Sequence, residues 1–354
     1  MADNSFPTME GPFCPLPLKH DEQIILGHGS GGRLTHNLIK EIFLPYLSSP
    51  ALQSGDDFAR LTEASGELIV STDCHIVSPL FFPGGDIGRL AVCGTVNDIA
   101  VSGAQPLYLT TGFILEEGLP VQTLVRILES MRLAAQEAGV QFVAGDTKVV
   151  EKGKADGLFI TTTGIGFLPK GRIINGHQAQ PGDVILVSGS IGDHGIAVLA
   201  ERGELGFSAK IQSDVAPLNG LIQDLLTAAP HTHVLRDPTR GGLATTLNEI
   251  AAQSQVGMIL YENKIPINPA VQAACEMLGF DPLYIANEGK IIAIVPPQEA
   301  EAALNAMHHH PYGKLASRIG EVTRNEPGRV LLKTNIGATR ILDMLAGEIL
   351  PRIC

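Results

Sequence analysis

LYLTTGFILEEGLPVQTLVRILESMRLAAQEAGVQFVAGDTK, residues 107–148, decides the class of fold. Residues 107–115 read as a strand. Residues 119–138 place Leu124, Ile127, Leu128, Met131 and Ala135 at helical spacing, the pattern of a long amphipathic helix. Residues 140–144 return to strand and run into Gly145-Asp146-Thr147-Lys148. A Thr-rich strand, 158–167, follows. Strands interleaved with long helices predict an α+β or α/β layer.

Upstream, residues 67–72 (ELIVST) read as a strand ending at Asp73. Residues 88–103 read as a helix with Leu90, Cys93, Val96, Ile99 and Ala100 on one face, carrying Asn97-Asp98. Ile24-Ile25-Leu26 begins a short strand that runs into GHGSGGR, 27–33, ahead of a helix over 34–47. Residues 1–23 are Pro-rich and read as a loose arm. Downstream, the Gly/Pro-rich stretch 171–182 marks a domain boundary. The expected organisation is therefore an arm (1–23), an N-terminal domain (24–170), a C-terminal domain of alternating strands and helices (171–334) and a mobile tail (335–354).

The 354 residues suffice for two domains with ample core. A formal net charge of −12 argues against nucleic-acid or anionic-membrane partners, whose phosphates would be repelled. No apolar run reaches the ~18 residues of a membrane span, and the N-terminus does not read as a secretory signal. Cys14, Cys74, Cys93, Cys275 and Cys354 are odd in number and form no CxxC pair. They indicate a reducing cytoplasm and no cysteine-based zinc site.

Several groups have the makings of a site. Four glycines in six residues (Gly27, Gly29, Gly31, Gly32, with His28 and Ser30 between) let a backbone fold around phosphate and present N–H groups; a flexible linker is the plainer reading. The lysine and hydroxyl of a P-loop are missing. Asp56, Asp73, Asp98 and Asp146 supply hard oxygen ligands suited to Mg2+ and nucleotide phosphates; each alone also fits a turn or helix cap. Lys148, two residues after Asp146, faces the same way on an extended segment and could meet phosphate as a point charge, or be a surface lysine. Glu288, between Asn287 and Gly289, is a candidate base or an exposed loop glutamate. His308-His309-His310 is a metal tract by composition, or a helix C-terminus where His is favoured anyway. The terminal PRIC, 351–354, joins thiol and α-carboxylate in one residue, with Gly347 upstream for slack. Its cysteine is a candidate reacting group or simply a last residue.

Taken together, GHGSGGR (27–33), GDDFA (55–59), STDCHIVSP (71–79), GTVNDIAVSGAQP (94–106), AGDTKVV (144–150), RDPTRGGLATTLNEIA (236–251), ANEGK (286–290) and the terminal PRIC resemble the HypE family. These are carbamoyl dehydratases of hydrogenase maturation, within the aminoimidazole ribonucleotide synthetase-like superfamily. The resemblance runs from about Ile24 to Cys354. It implies an N-terminal domain that closes a β-barrel across a homodimer, a C-terminal α/β sandwich and a flexible tail. It further implies ATP bound by residues 27–32, Asn97 and Arg240, and Mg2+ held by Asp56, Asp73, Asp98 and Asp146. Cys354 would be carbamoylated by the transferase HypF and dehydrated to a thiocyanate with Glu288 and Lys148 as catalytic groups, Asp237 orienting Arg240. Cyanide would then pass to a HypC–HypD complex. The other reading within the superfamily is a small-molecule kinase or synthetase, such as selenophosphate synthetase.

Overall fold

The computed structural model describes residues 22–54, 58–61, 66–203, 211–345, 347, 350 and 352–353. Asp56 and Cys354 lie outside the described residues, as does most of the arm.

The N-terminal domain contains α1 (Arg33–Leu38), α2 (Leu44–Leu47), α3 (Pro50–Gln53), β1 (Glu67–His75), the short hairpin β2 (Phe81–Phe82) and β3 (Gly85–Asp86), α4 (Ile87–Ala100), β4 (Gln105–Glu116), α5 (Val121–Ala138), β5 (Gln141–Val150) and β6 (Leu158–Leu168). A π-helical turn, Ile39–Phe43, joins α1 to α2, so the helix expected over 34–47 is present but wound in pieces. The expected strand at residue 24 is only an isolated bridge, Gln23 to Pro120.

Four strands pair in the order β1-β6-β4-β5, with β4 and β5 parallel and the other pairs antiparallel. Alternation sends Leu109, Phe113 and Leu115 under the helices. The opposite face leaves Leu68, Val70 and Ile114 exposed. This sheet is open within one chain: the expected barrel is not closed by these four strands, which run out at β1 and β5.

Helix α4 is capped by Asp86, whose carboxylate accepts from Gly88 and Arg89 N–H at 2.7 and 3.0 Å. All its residues but Arg89 and Asp98 are buried. Its crossing with α5 is close because Gly88 has no side chain; a Cβ there would stand 2.5 Å from the Ile127 carbonyl oxygen.

The C-terminal domain contains β7 (Val184–Val187), α6 (Asp193–Glu201), α7 (Asn219–Ala228), β8 (Val234–Arg236), α8 (Gly242–Ser254), β9 (Gly257–Tyr261), α9 (Pro269–Leu278), β10 (Ile292–Val295), α10 (Ala300–His309), β11 (Ser317–Thr323), β12 (Val330–Lys333) and β13 (Thr339–Leu342). Its seven-stranded sheet runs β13-β12-β9-β11-β7-β10-β8. Ile185 and Val187 pack toward α8, whereas Val184 and Leu186 pack toward α7 and α10. Helices thus cover both faces, and the strands read as continuous apolar runs.

One expectation changes here, and one alternative is decided. The segment 335–354 is not all tail: β13 pairs antiparallel with β12, and Leu342 is fully buried. The single apolar position Leu342 fills the sheet edge, a signal too short to read as a strand beforehand. The histidine tract serves the helix end. His308 Nε2 bonds the Ala316 carbonyl at 2.8 Å, His309 Nδ1 the Asn305 carbonyl at 2.7 Å, and His310 Nδ1 accepts from Tyr312 N–H.

The domains are stitched by side chains. Asn97, on α4, donates to the carbonyls of Ala216 (3.0 Å) and Glu288 (3.3 Å) and accepts from Leu218 N–H (2.7 Å). Arg89 donates to the Val215 carbonyl at 3.0 Å, and Asn219 to the Ala138 carbonyl at 2.8 Å.

Candidate active site

The site grows from the ends and edges of the N-terminal sheet and from the loop between α9 and β10. Asp73 pairs with Thr162, Thr162 with Thr111, and Thr111 with Gly145. Thr162 and Thr111 are buried on the helix-covered face. Asp73 therefore looks to that face, and Asp146, one residue past Gly145 at the far edge, looks to the other. Asp73 is reached by α4, which supplies Asp98. The described residues contain no group of three or more His, Cys, Asp or Glu arranged to hold a metal. Within one chain, Asp73 and Asp98 come together and Asp146 stands apart.

Asp98 Oδ2 accepts from the Ser71 hydroxyl at 2.7 Å. Burial, followed by the nearby Asp73 charge, raises its pKa despite that bond. Arg240 Nη2 stands 3.7 Å from Asp73 Oδ1, and His75 Nε2 3.8 Å from Asp73 Oδ2. Burial holds the His75 imidazole below its ordinary value. Asp237 is pushed up to about 7, first by burial and then by Asp98.

Glu288 completes this acidic wall. It is 5% exposed, and its Oε1 has no protein hydrogen-bond partner. Burial, then Asp214, Asp237, Asp73 and Asp98, raises its carboxyl well above the ordinary range. Its loop is held from several sides. Asn287 Oδ1 accepts from Gly192 N–H at 2.8 Å, and Asn287 Nδ2 donates to the Pro238 carbonyl at 2.8 Å. Glu288 N–H donates to Asp214 Oδ1 at 3.1 Å. A Cβ on Gly289 would stand 1.7 Å from the Asp214 carbonyl oxygen, so only glycine permits this approach. Asp214 itself is paired with Lys290 at 3.0 Å. Burial works to raise Asp214, yet the Lys290 charge and the Glu288 N–H hold it below its ordinary value.

On the other face, Lys148 Nζ lies 3.0 Å from Asp146 Oδ2, both exposed, as their two-residue spacing predicts. That bond lowers the Asp146 pKa. The glycine-rich segment folds as a 3-10 turn, Leu26–Gly29, against β5. A Cβ on Gly29 would stand 2.7 Å from Val149 N. Within it, buried His28 accepts from Ile25 N–H at 3.1 Å, the Ser30 hydroxyl donates to the Gly27 carbonyl at 2.9 Å, and Gly31 N–H donates to Thr35 Oγ1 at 2.9 Å. Gly32 caps α1. Between this turn and β5 is a cavity of about 210 Å³, floored by Ile39, Phe43, Leu47 and Phe113 and rimmed by Asp146 and Lys148.

A larger cavity, about 710 Å³, is lined by Cys74, Ile76, Arg240, Gly241, Tyr284 and Ala286 together with Leu345, Gly347, Leu350, Arg352 and Ile353 from the end of the chain. Leu350, Arg352 and Ile353 thus reach the wall that carries Arg240. Ile353 is buried and bridges Val77.

Asn97, expected at the nucleotide, has its amide committed to three backbone groups between the domains. Asp214, His194 and Arg202 had no signal in the sequence, because each acts on residues far away in the chain.

Comparison with known proteins bears on this arrangement. Two family models match: AIR synthase related protein, N-terminal domain, over residues 55–168, and its C-terminal domain over 180–333. A curated protein of Cupriavidus necator, carbamoyl dehydratase HypE, is 54% identical over 341 residues, covering 96% of this chain and 97% of its own. The chain belongs to the HypE family. A crystal structure of the hydrogenase maturation protein HypE in complex with ATP superposes with a TM-score of 0.90 at 50% identity, covering 93% of this chain and 99% of that one. A second HypE structure, from a HypE–HypF complex, matches with a TM-score of 0.77 at 51% identity, over 87% of this chain and 99% of that one. The α+β two-domain architecture expected from the sequence is that of the HypE relatives. No helix among the described residues is long and apolar enough to cross a membrane.

Proposed function

We propose that this chain is an ATP-dependent carbamoyl dehydratase acting on its own Cys354. The observation that carries the reading is the buried, unpartnered Glu288 carboxyl beside Asp73, Asp98 and Asp237, in a chain similar over nearly its full length to carbamoyl dehydratase HypE.

A HypF-type transferase places a carbamoyl group on the Cys354 sulfur; the HypE–HypF complex of a relative supports that partner. The carboxamide oxygen attacks the γ-phosphorus of ATP and ADP leaves, while the nitrogen gives one proton to solvent. Glu288 then takes the remaining N–H proton as the C–O bond to phosphate breaks, leaving S–C≡N. Phosphate replaces hydroxide as the leaving group, which removes the main barrier to losing water. A carboxyl with a raised pKa is a stronger base once ionised, and Glu288 is suited to this step. Lys148, reaching in with Asp146 from another copy, neutralises charge on the phosphoryl group. Cyanide passes onward to a HypC–HypD-type complex for the iron centre of a [NiFe]-hydrogenase.

For ATP, the apolar floor of Ile39, Phe43 and Phe113 suits a base, with phosphates toward Lys148 and the segment Gly27 to Gly32, and toward Arg240 of another copy. For Mg2+, Asp73 and Asp98 fit a cation that keeps water and takes phosphate oxygens, with Asp56 as a further candidate. Asp146 joins such a set only from another copy. When bound, the cation neutralises phosphate charge. The exposed Leu68, Val70 and Ile114 on an open sheet support a homodimer that closes the barrel. The cytoplasm is the compartment we assign, in keeping with the unpaired Cys74, Cys93 and Cys275.

Intact mass after incubation with a HypF-type transferase, carbamoyl phosphate and Mg-ATP tests the reading. Gain of one carbamoyl group, then loss of one water only with ATP cleavage, is expected, and neither in Cys354→Ala. ATP consumption with a small molecule, undiminished in Cys354→Ala, would make the chain a small-molecule kinase instead.

A further inference from the structure

Three residues before the last one are held by groups with no part in the chemistry above. Arg352 has φ 54°, a left-handed backbone uncommon for a residue with a long side chain. Its carbonyl accepts twice, from Ser78 N–H at 3.2 Å and from Arg202 Nη2 at 2.5 Å. Arg202 also donates through Nε to the Ser78 carbonyl at 2.6 Å, so one guanidinium ties the two segments together. The Arg352 guanidinium bonds Asp156. Leu350 is buried against Gly195; a Cβ on Gly195 would stand 3.2 Å from Leu350 Cδ1 and 2.6 Å from Ile285 Cγ2.

The next carbonyl, that of Ile353, is met by His194. Nε2 lies 2.6 Å from Ile353 O. A carbonyl can only accept, so Nε2 carries the proton. Nδ1 then accepts from the Ser213 hydroxyl at 2.8 Å, whose oxygen in turn accepts from Val215 N–H at 3.1 Å. Ser213 is fixed by its own N–H on the Pro83 carbonyl at 2.7 Å. The Phe82 ring meets the imidazole edge-on, with centroids 5.4 Å apart. His194 is fully buried. A buried imidazole with both nitrogens engaged, one of them on a peptide group 159 residues away in sequence, has its tautomer and ring plane set in advance.

We propose that His194 is a positioning residue for the modifiable cysteine. Its Nε2–H fixes the Ile353 carbonyl, the last before Cys354, with Arg202 fixing the carbonyl before that, so the peptide that carries the reacting residue is held in advance. The cleft recognises the chain end through two consecutive main-chain carbonyls and the Leu350 and Ile353 side chains, as an added strand is recognised. The proposal takes from the proposed dehydratase reading only that Cys354 is the reacting group. The anchor itself can be measured without any turnover.

The experiment compares His194→Leu, His194→Gln and Arg202→Gln with the unaltered full chain. Gln keeps an N–H donor near the Nε2 position, and Leu does not. The first readout is the rate of iodoacetamide alkylation at Cys354, followed by peptide mapping so that the exposed Cys74 is counted separately. Loss of one hydrogen bond predicts alkylation about fivefold faster in His194→Leu, a return toward the unaltered rate in His194→Gln, and no change at Cys74. The second readout is single-turnover dehydration of carbamoylated protein: His194→Leu lowers the maximal rate with KM for ATP unchanged, and His194→Gln restores it. Arg202→Gln, on the rim, keeps the test open should His194→Leu misfold; it predicts the same faster alkylation. Unchanged Cys354 alkylation in both folded His194→Leu and Arg202→Gln would overturn the proposal, as would His194→Gln behaving like His194→Leu. Faster alkylation with no ATP-driven mass change in any variant would uphold the anchor while removing the dehydratase reading.

Discussion

The carboxylates gathered around Asp73, on the covered side of the N-terminal sheet, behave oppositely to Asp146 on its open side. On the covered face Asp98, Asp237 and Glu288 are withdrawn from water, and burial with mutual repulsion raises their pKa values. On the open face Asp146 keeps its solvent and gains Lys148, which lowers its pKa. One residue type thus gives a proton acceptor on one side and a fixed ion pair on the other. The cause is the environment: burial and neighbouring carboxylates on one side, solvent and a lysine on the other.

Mutations can break or sharpen this contrast. The largest effect is expected for Glu288→Gln, which removes the basic oxygen while keeping shape. Dehydration in a single turnover should fall about 10³-fold, within the usual range for a general base, with ATP binding by calorimetry nearly unchanged. Next comes Lys148→Met. Dehydration should fall about 10²-fold, as for loss of one charge stabiliser, and the Asp146 carboxyl should rise toward its ordinary value by NMR titration. A fall of similar size in Glu288→Gln and Lys148→Met, with the same loss of ATP affinity, would erase the distinction between the faces.

The third test uses pH. Asp237 titrates near 7, so the acidic wall gains charge as pH rises through that value. Dehydration rates should climb through about pH 7, and Asp237→Asn should flatten that inflection. Stability moves the other way. A carboxyl whose folded pKa is raised contributes most below its unfolded value and loses that contribution as pH rises through the folded one. The melting temperature of Asp237→Asn relative to the unaltered chain should therefore increase between about pH 4 and pH 7. The smallest effect on the fold is expected on the open face. Leu68→Lys with Val70→Lys should shift the monomer's melting temperature little, since both side chains are already exposed. Light scattering should nevertheless report a monomer if a second copy covers that face.

Much of this was legible in the chain. The strands and helices of 107–168 follow from periodicity alone, and Lys148 beside Asp146 follows from a spacing of two. The faces were not legible, because β1 and β5 run longer than their apolar cores. Asp73 and Asp146 sit inside strands rather than after them, and one residue of register decides which side each occupies. Asn97 was assigned to the nucleotide by resemblance alone. Its partners at 216, 218 and 288 are set by tertiary packing, to which periodicity is blind. Asp214 and His194 were hidden for the same reason.

Asn97, Arg89 and Asn219 have a mechanical consequence. Each spans the seam between the domains through main-chain groups, deep enough that water cannot readily replace the Asn97 bonds. Opening the molecule like a jaw would tear all of them at once. If the dehydratase reading proposed above holds, exchange through the cleft would fall to the end of the chain and not to its walls.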